Sequence, residues 1–338
     1  MVNAVLEEQP VTAARHIMGR LNVRPDAKLG ELRERLAGLA CEQRDAVIST
    51  RELAMAPADG QLMVGGSERY ELRRHAFGQL AAKLGIPAPY LRRCDPELRS
   101  RNVNRWLREA DRDLLLRLEG SEVRAVLSAT YRPINHGEIL AWLESRLGQN
   151  TPVRFELTDG FLDLQVIGPA DSSSGRDVLN RGLHLRNSEV GLARVSISAM
   201  VYRVICLNGL VMGGGRWAFT RRHVGHGELA DNVRRAFDHA IELSSQAATA
   251  FAGTRAITVK EPERALERIV TRYELAEPEA AAVTRAFTVE PGHTLYAVIN
   301  ALTRAGNDAT LDLQSRHKLQ SLGGRITELS GTGKWLDN

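Results

Sequence analysis

The hydrophobic period changes several times along the chain, and the changes mark out its elements. Leu29, Leu32, Leu36 and Leu39 recur at helical spacing between Lys28 and Arg44. From Val47 to Ala76 the chain reads as short strands, with turn signals at Asp59-Gly60 and Gly65-Gly66. Residues 75–84 read as a helix stopped by Gly85, and another helix starts at the Asp95-Pro96 cap and runs to about Ala110. The stretch LLLRLEGSEVRAVLSATY gives two strands around Gly120-Ser121. Beyond Pro133 comes a helix with Ile139, Leu140, Leu143 and Leu147 on one stripe. VRFELTDGFLDLQVIG is a hairpin with Asp159-Gly160 at its tip. Phe155 and Leu157 alternate on one arm, Leu162, Leu164 and Val166 on the other. Ser172 to Gly175 read as a short flexible loop, and residues 1–20 show no firm pattern.

Residues 185–211, LRNSEVGLARVSISAMVYRVICLNGLV, are β-prone yet carry Arg194 and Arg203. Strand alternation puts Arg194, Ser196 and Ser198 on one face and Val195, Ile197 and Ala199 on the other. Tyr202 stays in phase with Arg194; Arg203 does not. RWAFTRRHVG reads as a further strand, and the glycines of Met212 to Arg216 as a hairpin bend before it. A long helix follows, with Leu229, Val233, Phe237 and Ile241 on one face. From Pro262 onward three helices precede a polar tail containing Gly323-Gly324 and Gly331. The expected fold is α+β, an antiparallel sheet packed with helices and a helical C-terminal part. Its expected divisions are 1–74, 75–255 and 256–338.

With 338 residues, 43% hydrophobic and 25% charged, the chain has the balance of a soluble globular protein. No run approaches a membrane span, and the N-terminus lacks the basic start and apolar core of a signal peptide, so a cytoplasmic protein without a membrane is expected. Cys41, Cys94 and Cys206 are scattered and read as buried thiols. The net charge of +4 is modest, but nine arginines lie between Arg181 and Arg235 against Glu189, Glu228 and Asp231. That excess suits a polyanion. With only five lysines in the chain, arginine is also simply its usual cation, and surface salt bridges are the competing explanation.

Catalytic patterns are few. There is no Gly-Lys-Ser/Thr phosphate loop, no Gly-x-Ser-x-Gly elbow and no His-Glu-x-x-His. His223 and His226 lack the further ligands that a metal site needs, although Glu228 or Asp231 is near enough in sequence to help. Glu156, Asp159 and Asp163 are explained by solvent exposure on a hairpin. Trp217 and Phe219, before Arg221 and Arg222, combine stacking rings with phosphate-tracking cations. No helix-turn-helix or zinc finger is evident, so single-stranded nucleic acid fits better than a duplex groove.

Several blocks resemble the phage/plasmid-like protein family, known mainly as a domain of unknown function carried by mobile elements. They are Arg186-Asn187-Ser188-Glu189-Val190-Gly191, Tyr202-Arg203, Cys206-Leu207-Asn208-Gly209 and Arg221-Arg222-His223. Tyr131-Arg132-Pro133-Ile134 and Leu84-Gly85-Ile86-Pro87 with Tyr90-Leu91 extend the similarity over residues 75–305. The order helix, antiparallel strands, helix is also similar to the core of Rad52-type single-strand annealing proteins. That similarity implies a homo-oligomer, ring-forming in that group, which lays DNA along a basic groove without a catalytic residue or cofactor. On this resemblance Arg186, Arg194, Arg203, Arg221 and Arg222 contact phosphate, with Arg216 and His223 in the same basic set. Asn187, Ser188 and Gly191 shape a tight loop, and Trp217 stacks on a base.

The leading expectation is therefore a non-enzymatic protein that binds and anneals single-stranded DNA, with duplex DNA as a further partner. Two alternatives stand beside it: a metal-dependent nuclease using His223 and His226, and a structural or regulatory partner of a mobile-element protein.

Overall fold

The computed structural model describes residues 27–40, 42–174, 177–203, 208–212, 218–221, 229–331 and 335. The fold is α+β, built around two sheets. After β1 (Ala27–Lys28) and α1 (Leu29–Ala40), the first sheet forms from β2 (Gln43–Ser49), β3 (Leu53–Met55), β4 (Leu62–Val64), β5 (Glu68–Leu72), β6 (Asp113–Glu119) and β7 (Glu122–Ser128). Its order is β2-β6-β7-β5-β4-β3, with β5 and β7 parallel and the other neighbours antiparallel. The pairing of β5 with β7 means that this sheet spans the position of the division expected at residue 74. Helices α2 (Arg74–Lys83), α3 (Ala88–Arg93) and α4 (Pro96–Ala110) cover one face, burying Leu80, Leu91, Val103 and Leu107 against Leu114, Leu116 and Val126. The Asp95 cap is real: its carboxylate accepts the Leu98 N–H at 2.8 Å.

Helix α5 (His136–Leu147) leads into the second sheet, made of β8 (Pro152–Leu157), β9 (Leu162–Ser174), β10 (Asp177–Asn187), β11 (Val195–Arg203), β12 (Asn208–Val211) and β13 (Ala218–Arg221). The order is β1-β8-β9-β10-β11-β12, and β13 also pairs with β11. The Asp159-Gly160 hairpin lies where the sequence put it. One expectation is corrected. Ser172 to Ser174 continue β9 and pair with β10, so backbone pairing holds the serine run in a strand. The glycine stretch after Met212, expected as a hairpin bend, lies outside the described residues; the strands on either side of it, β12 and β13, both run antiparallel to β11.

Alternation divides this sheet into two unlike faces. Val153, Phe155, Leu162, Leu164, Leu183, Leu185, Val195 and Ile197 share the apolar face with the leucines of α1 and with Ile139, Leu140 and Leu143 of α5. The long α6 (Leu229–Gly253) packs against β10 and β11 and carries the same core into a second one. There α7 (Pro262–Arg272), α8 (Glu277–Val289), α9 (Leu295–Ala305) and α10 (Leu313–Ser330) bury Leu266, Ile269, Phe287, Ile299, Leu302 and Ile326.

The expected polar tail is thus helix α10, and its two glycines explain its seat. A Cβ on Gly324 would lie 2.0 Å from the Val211 carbonyl oxygen, and one on Gly323 would lie 2.6 Å from Thr303 Cγ2. The helix backbone touches β12 directly, and only the absence of side chains permits that approach. Gly324→Ala is expected to destabilise the protein by about 2–4 kcal/mol, since backbone cannot yield as a side-chain tip does. Urea denaturation would measure it, and a loss below about 0.5 kcal/mol would refute the direct seating.

Candidate functional site

The second face of the larger sheet is polar, and it brings together residues far apart in sequence. One row across the strands runs Arg154, Gln165, His184, Ser198; the next runs Glu156, Asp163, Arg186, Ser196, Thr220. Helix α10 lies over part of this face and contributes Arg316, His317 and Gln320. Arg316 binds the buried Glu156 carboxylate, and Gln165 donates to Gln320 Oε1 at 3.2 Å. His184 Nε2 is 2.9 Å from Asp163 Oδ1, and its ring stacks on His317 with centroids 4.8 Å apart.

Glu156 and Asp163 correct the expectation of solvent-exposed acids: both are buried. The sequence reading also passed over His184 and His317. The signal available was parity, because Arg154, Glu156, Asp163, Gln165, His184 and Arg186 all occupy the polar phase of their strands. What no local pattern shows is a helix 150 residues later closing over them.

The electrostatics of this layer are specific. Burial pushes the Asp163 carboxyl up, but His184, His317 and Arg186 outweigh it and hold the group down to about 2. Burial, reinforced by the charges of His184 and Arg186, pushes His317 down to about 4. Asp163, His184 and His317 present a carboxylate and two imidazoles with ligand atoms within 4.8 Å, a donor set that divalent transition metals accept. The neighbours oppose a cation, however. Arg154 and Arg316 line the same cavity of about 20 Å³ as Asp163 and His317, and Arg186 lies across from Asp163. The layer holds these three guanidiniums against Glu156 and Asp163, so a divalent ion would add charge to a positive interior. A cavity of this size matches a single water molecule, which needs roughly 10–15 Å³ and two to four polar partners.

At one end of the sheet, the register gathers the arginines singled out from sequence. Arg186 pairs across to Ser196, Arg194 immediately precedes β11, and Arg221 sits opposite Val195. Arg194 is exposed. The Arg186 guanidinium lies 4.6 Å from the centroid of the half-buried Phe161 ring. Phe161 in turn lines a cleft of about 760 Å³ with Glu156, Thr158, Arg316 and residues 309–314. Arg203 is not at this end. It is buried on the core face and grips Glu290 through both nitrogens at 2.7 and 2.6 Å, with its guanidinium 5.3 Å from the Tyr296 ring centroid. Its expected place on a phosphate-facing surface is therefore corrected, as its strand phase required. Arg216, Trp217, Arg222, His223 and His226 lie outside the described residues, as does Glu228; Asp231 is exposed on α6.

The Asn-Ser-Glu-Val-Gly block has a different task. Every one of its residues faces inward or fixes the turn. Asn187 donates to the Ile134 carbonyl at 2.9 Å, and the Tyr131 hydroxyl donates to the Ser188 carbonyl at 3.0 Å. Glu189 accepts the His136 N–H at 2.6 Å and the Arg124 guanidinium at 2.9 Å, while its own carbonyl accepts Arg117 at 2.8 Å. The Val190 carbonyl accepts Gln79 at 2.6 Å. Gly191 has φ +75, and a Cβ there would fall 2.7 Å from Leu127 Cδ2. Burial disfavours the Glu189 charge, yet His136, its backbone N–H and Arg124 hold the carboxyl below the ordinary range. Arg124, Arg117, Gln79 and Leu127 belong to the first sheet or the helix on it, so the block is the joint between the two sheets. A cleft of about 670 Å³ beside the joint is lined by Arg73, Arg117, Arg124, Glu119, Asp159 and Glu189, among others, with charges of both signs.

Two outcomes follow. Glu189→Gln removes the charge that compensates buried Arg124, and a loss of about 3–5 kcal/mol in urea unfolding is expected; a change under 1 kcal/mol would refute the joint. Stability should also fall as pH drops from about 6.5 to 4, because the unfolded chain protonates His317 there while the folded chain keeps it neutral. The contribution is present above pH 6.5 and lost on acidification, by no more than about 3 kcal/mol; His317→Asn should flatten that limb of the urea-midpoint profile.

No curated protein and no solved structure matches the chain. A family model does match, described as Domain of unknown function (DUF932), over residues 124–307. The match takes in Arg124, Tyr131, His136, the joint block and the strands of the polar face, and ends before α10. With more than half of its length inside that match, the chain belongs to the DUF932 family.

Proposed function

We propose that this protein binds single-stranded nucleic acid at the end of the larger sheet marked by Arg186, Arg194 and Arg221, and serves the annealing of complementary strands. The observation that carries the reading is the strand register, which sets Arg186 of β10, Arg194 just before β11 and the Arg221 position of β13 at one end of the sheet, with the Arg186 guanidinium over the Phe161 ring that lines the cleft. Guanidiniums neutralise phosphates, and a ring beside them offers a base a stacking surface. In the sequence Arg222 and His223 follow Arg221 directly. Such a role needs no catalytic group, since a strand that is neutralised and held extended pairs by its own base complementarity. Among the described residues no helix is long and apolar enough to cross a membrane.

The test is fluorescence anisotropy with labelled oligo-dT and with duplex DNA across a salt series. Tight binding that favours the single strand and weakens steeply with salt is expected, because each phosphate contact releases counterions. Replacing both Arg194 and Arg221 by Ala should reduce the slope of log affinity against log salt by about 1.4, at roughly 0.7 per single-strand contact. Unchanged affinity and slope in a folded double variant would refute the assignment.

A further inference from the structure

We propose that the outer face of α4, together with Tyr90 of α3, is a second contact surface for single-stranded nucleic acid; this rests on the reading above. The helix buries Ser100, Val103 and Leu107 and turns the opposite side to solvent. On that side it carries large apolar groups that a solvent-facing helix normally lacks: Trp106 is 44% exposed and Leu98 39%, and neighbouring Tyr90 is 42% exposed. They form one patch, since Asn102, one turn from both Leu98 and Trp106, donates to the Tyr90 hydroxyl at 3.1 Å. Scattered exposed apolar residues need no explanation, but aromatic rings grouped among arginines do.

The cations around this patch select its occupant. Arg92, Arg93, Arg101, Arg105 and Arg108 are all exposed on the same two helices. The Arg105 guanidinium is 5.9 Å from the Trp106 ring centroid. Two of these arginines are held by exposed surface pairs one turn apart, Arg101 with Glu97 at 2.9 Å and Arg105 with Glu109 at 3.1 Å. Such pairs contribute little, so a phosphate competes with them readily. Rings that accept any base, with guanidiniums spaced along a helix to follow a backbone, match single-stranded nucleic acid. A duplex presents no unstacked base to Trp106 or Tyr90.

The full chain is titrated with labelled oligo-dT and with duplex DNA, and tryptophan emission is followed in parallel. Trp106→Ala, and separately Tyr90→Ala, should each weaken oligo-dT binding on the order of tenfold while leaving duplex affinity unchanged. Quenching of emission by oligo-dT should be reduced in Trp106→Ala and retained in the Arg194 and Arg221 double variant. Trp106 is exposed, so the variant is expected to fold, and circular dichroism checks it. Wild-type binding with unaltered oligo-dT affinity in Trp106→Ala would overturn this surface while leaving the sheet-end reading standing. Equal loss for duplex and single strand would overturn the stacking role. No oligo-dT binding by the wild-type protein would overturn both.

Discussion

The architecture depends on one buried charge. Glu189 enters the space between the two sheets and finds there groups that make its burial tolerable: a guanidinium, a backbone N–H and an imidazole. Isolated carboxylates and guanidiniums are costly to bury, and here each has the other within hydrogen-bond distance. Arg124 extends to Glu119, which Arg73 also holds, while Arg117 spans Asp45, Asn135 and the Glu189 carbonyl. The joint is thus a lattice in which each group fixes the next. Leu115, Ala125, Leu127, Tyr131 and Val190 close a small apolar cluster around it, which keeps water from loosening the pairs.

The same principle accounts for several arginines whose charge, read along the sequence, suits a surface: they frame the interior instead. Arg117, Arg124, Arg154 and Arg203 are buried, each with a carboxylate, a carbonyl or a ring as neighbour. Guanidinium suits this use because its planar fork satisfies two acceptors at once. Other arginines stay outside, among them Arg194 at one end of the larger sheet and Arg101, Arg105 and Arg108 along α4.

Period and punctuation made the local elements legible. The Leu29–Leu36 stripe, the Asp95 cap, the Asp159-Gly160 tip and the face alternation of β11 all describe structure decided within a few residues. What local pattern could not supply was the identity of each face's neighbour. The polar phase of β8 and β9 looks the same whether water or α10 covers it, so Glu156 and Asp163 read as exposed. Arg203 illustrates the converse: its phase already placed it on the core side, but its partner Glu290 is 87 residues away. Gly323-Gly324 misled for a related reason. Glycine weakens a helix in isolation, and only the contact with β12 gives two of them a purpose.

Helix α10 has a property that its leucines alone would not confer. A helix seated by apolar contacts can slip along its axis by one turn, about 5.4 Å, and still find grease on the far side. This one is keyed like a bolt. Arg316, His317 and Gln320 must meet Glu156, His184 and Gln165, while the bare backbone of Gly323 and Gly324 must meet Thr303 and Val211. A slip in either direction would strand Glu156 in the interior and drive a side chain into a carbonyl. The lid on the polar face therefore admits a single register, and it leaves its seat as a unit or not at all.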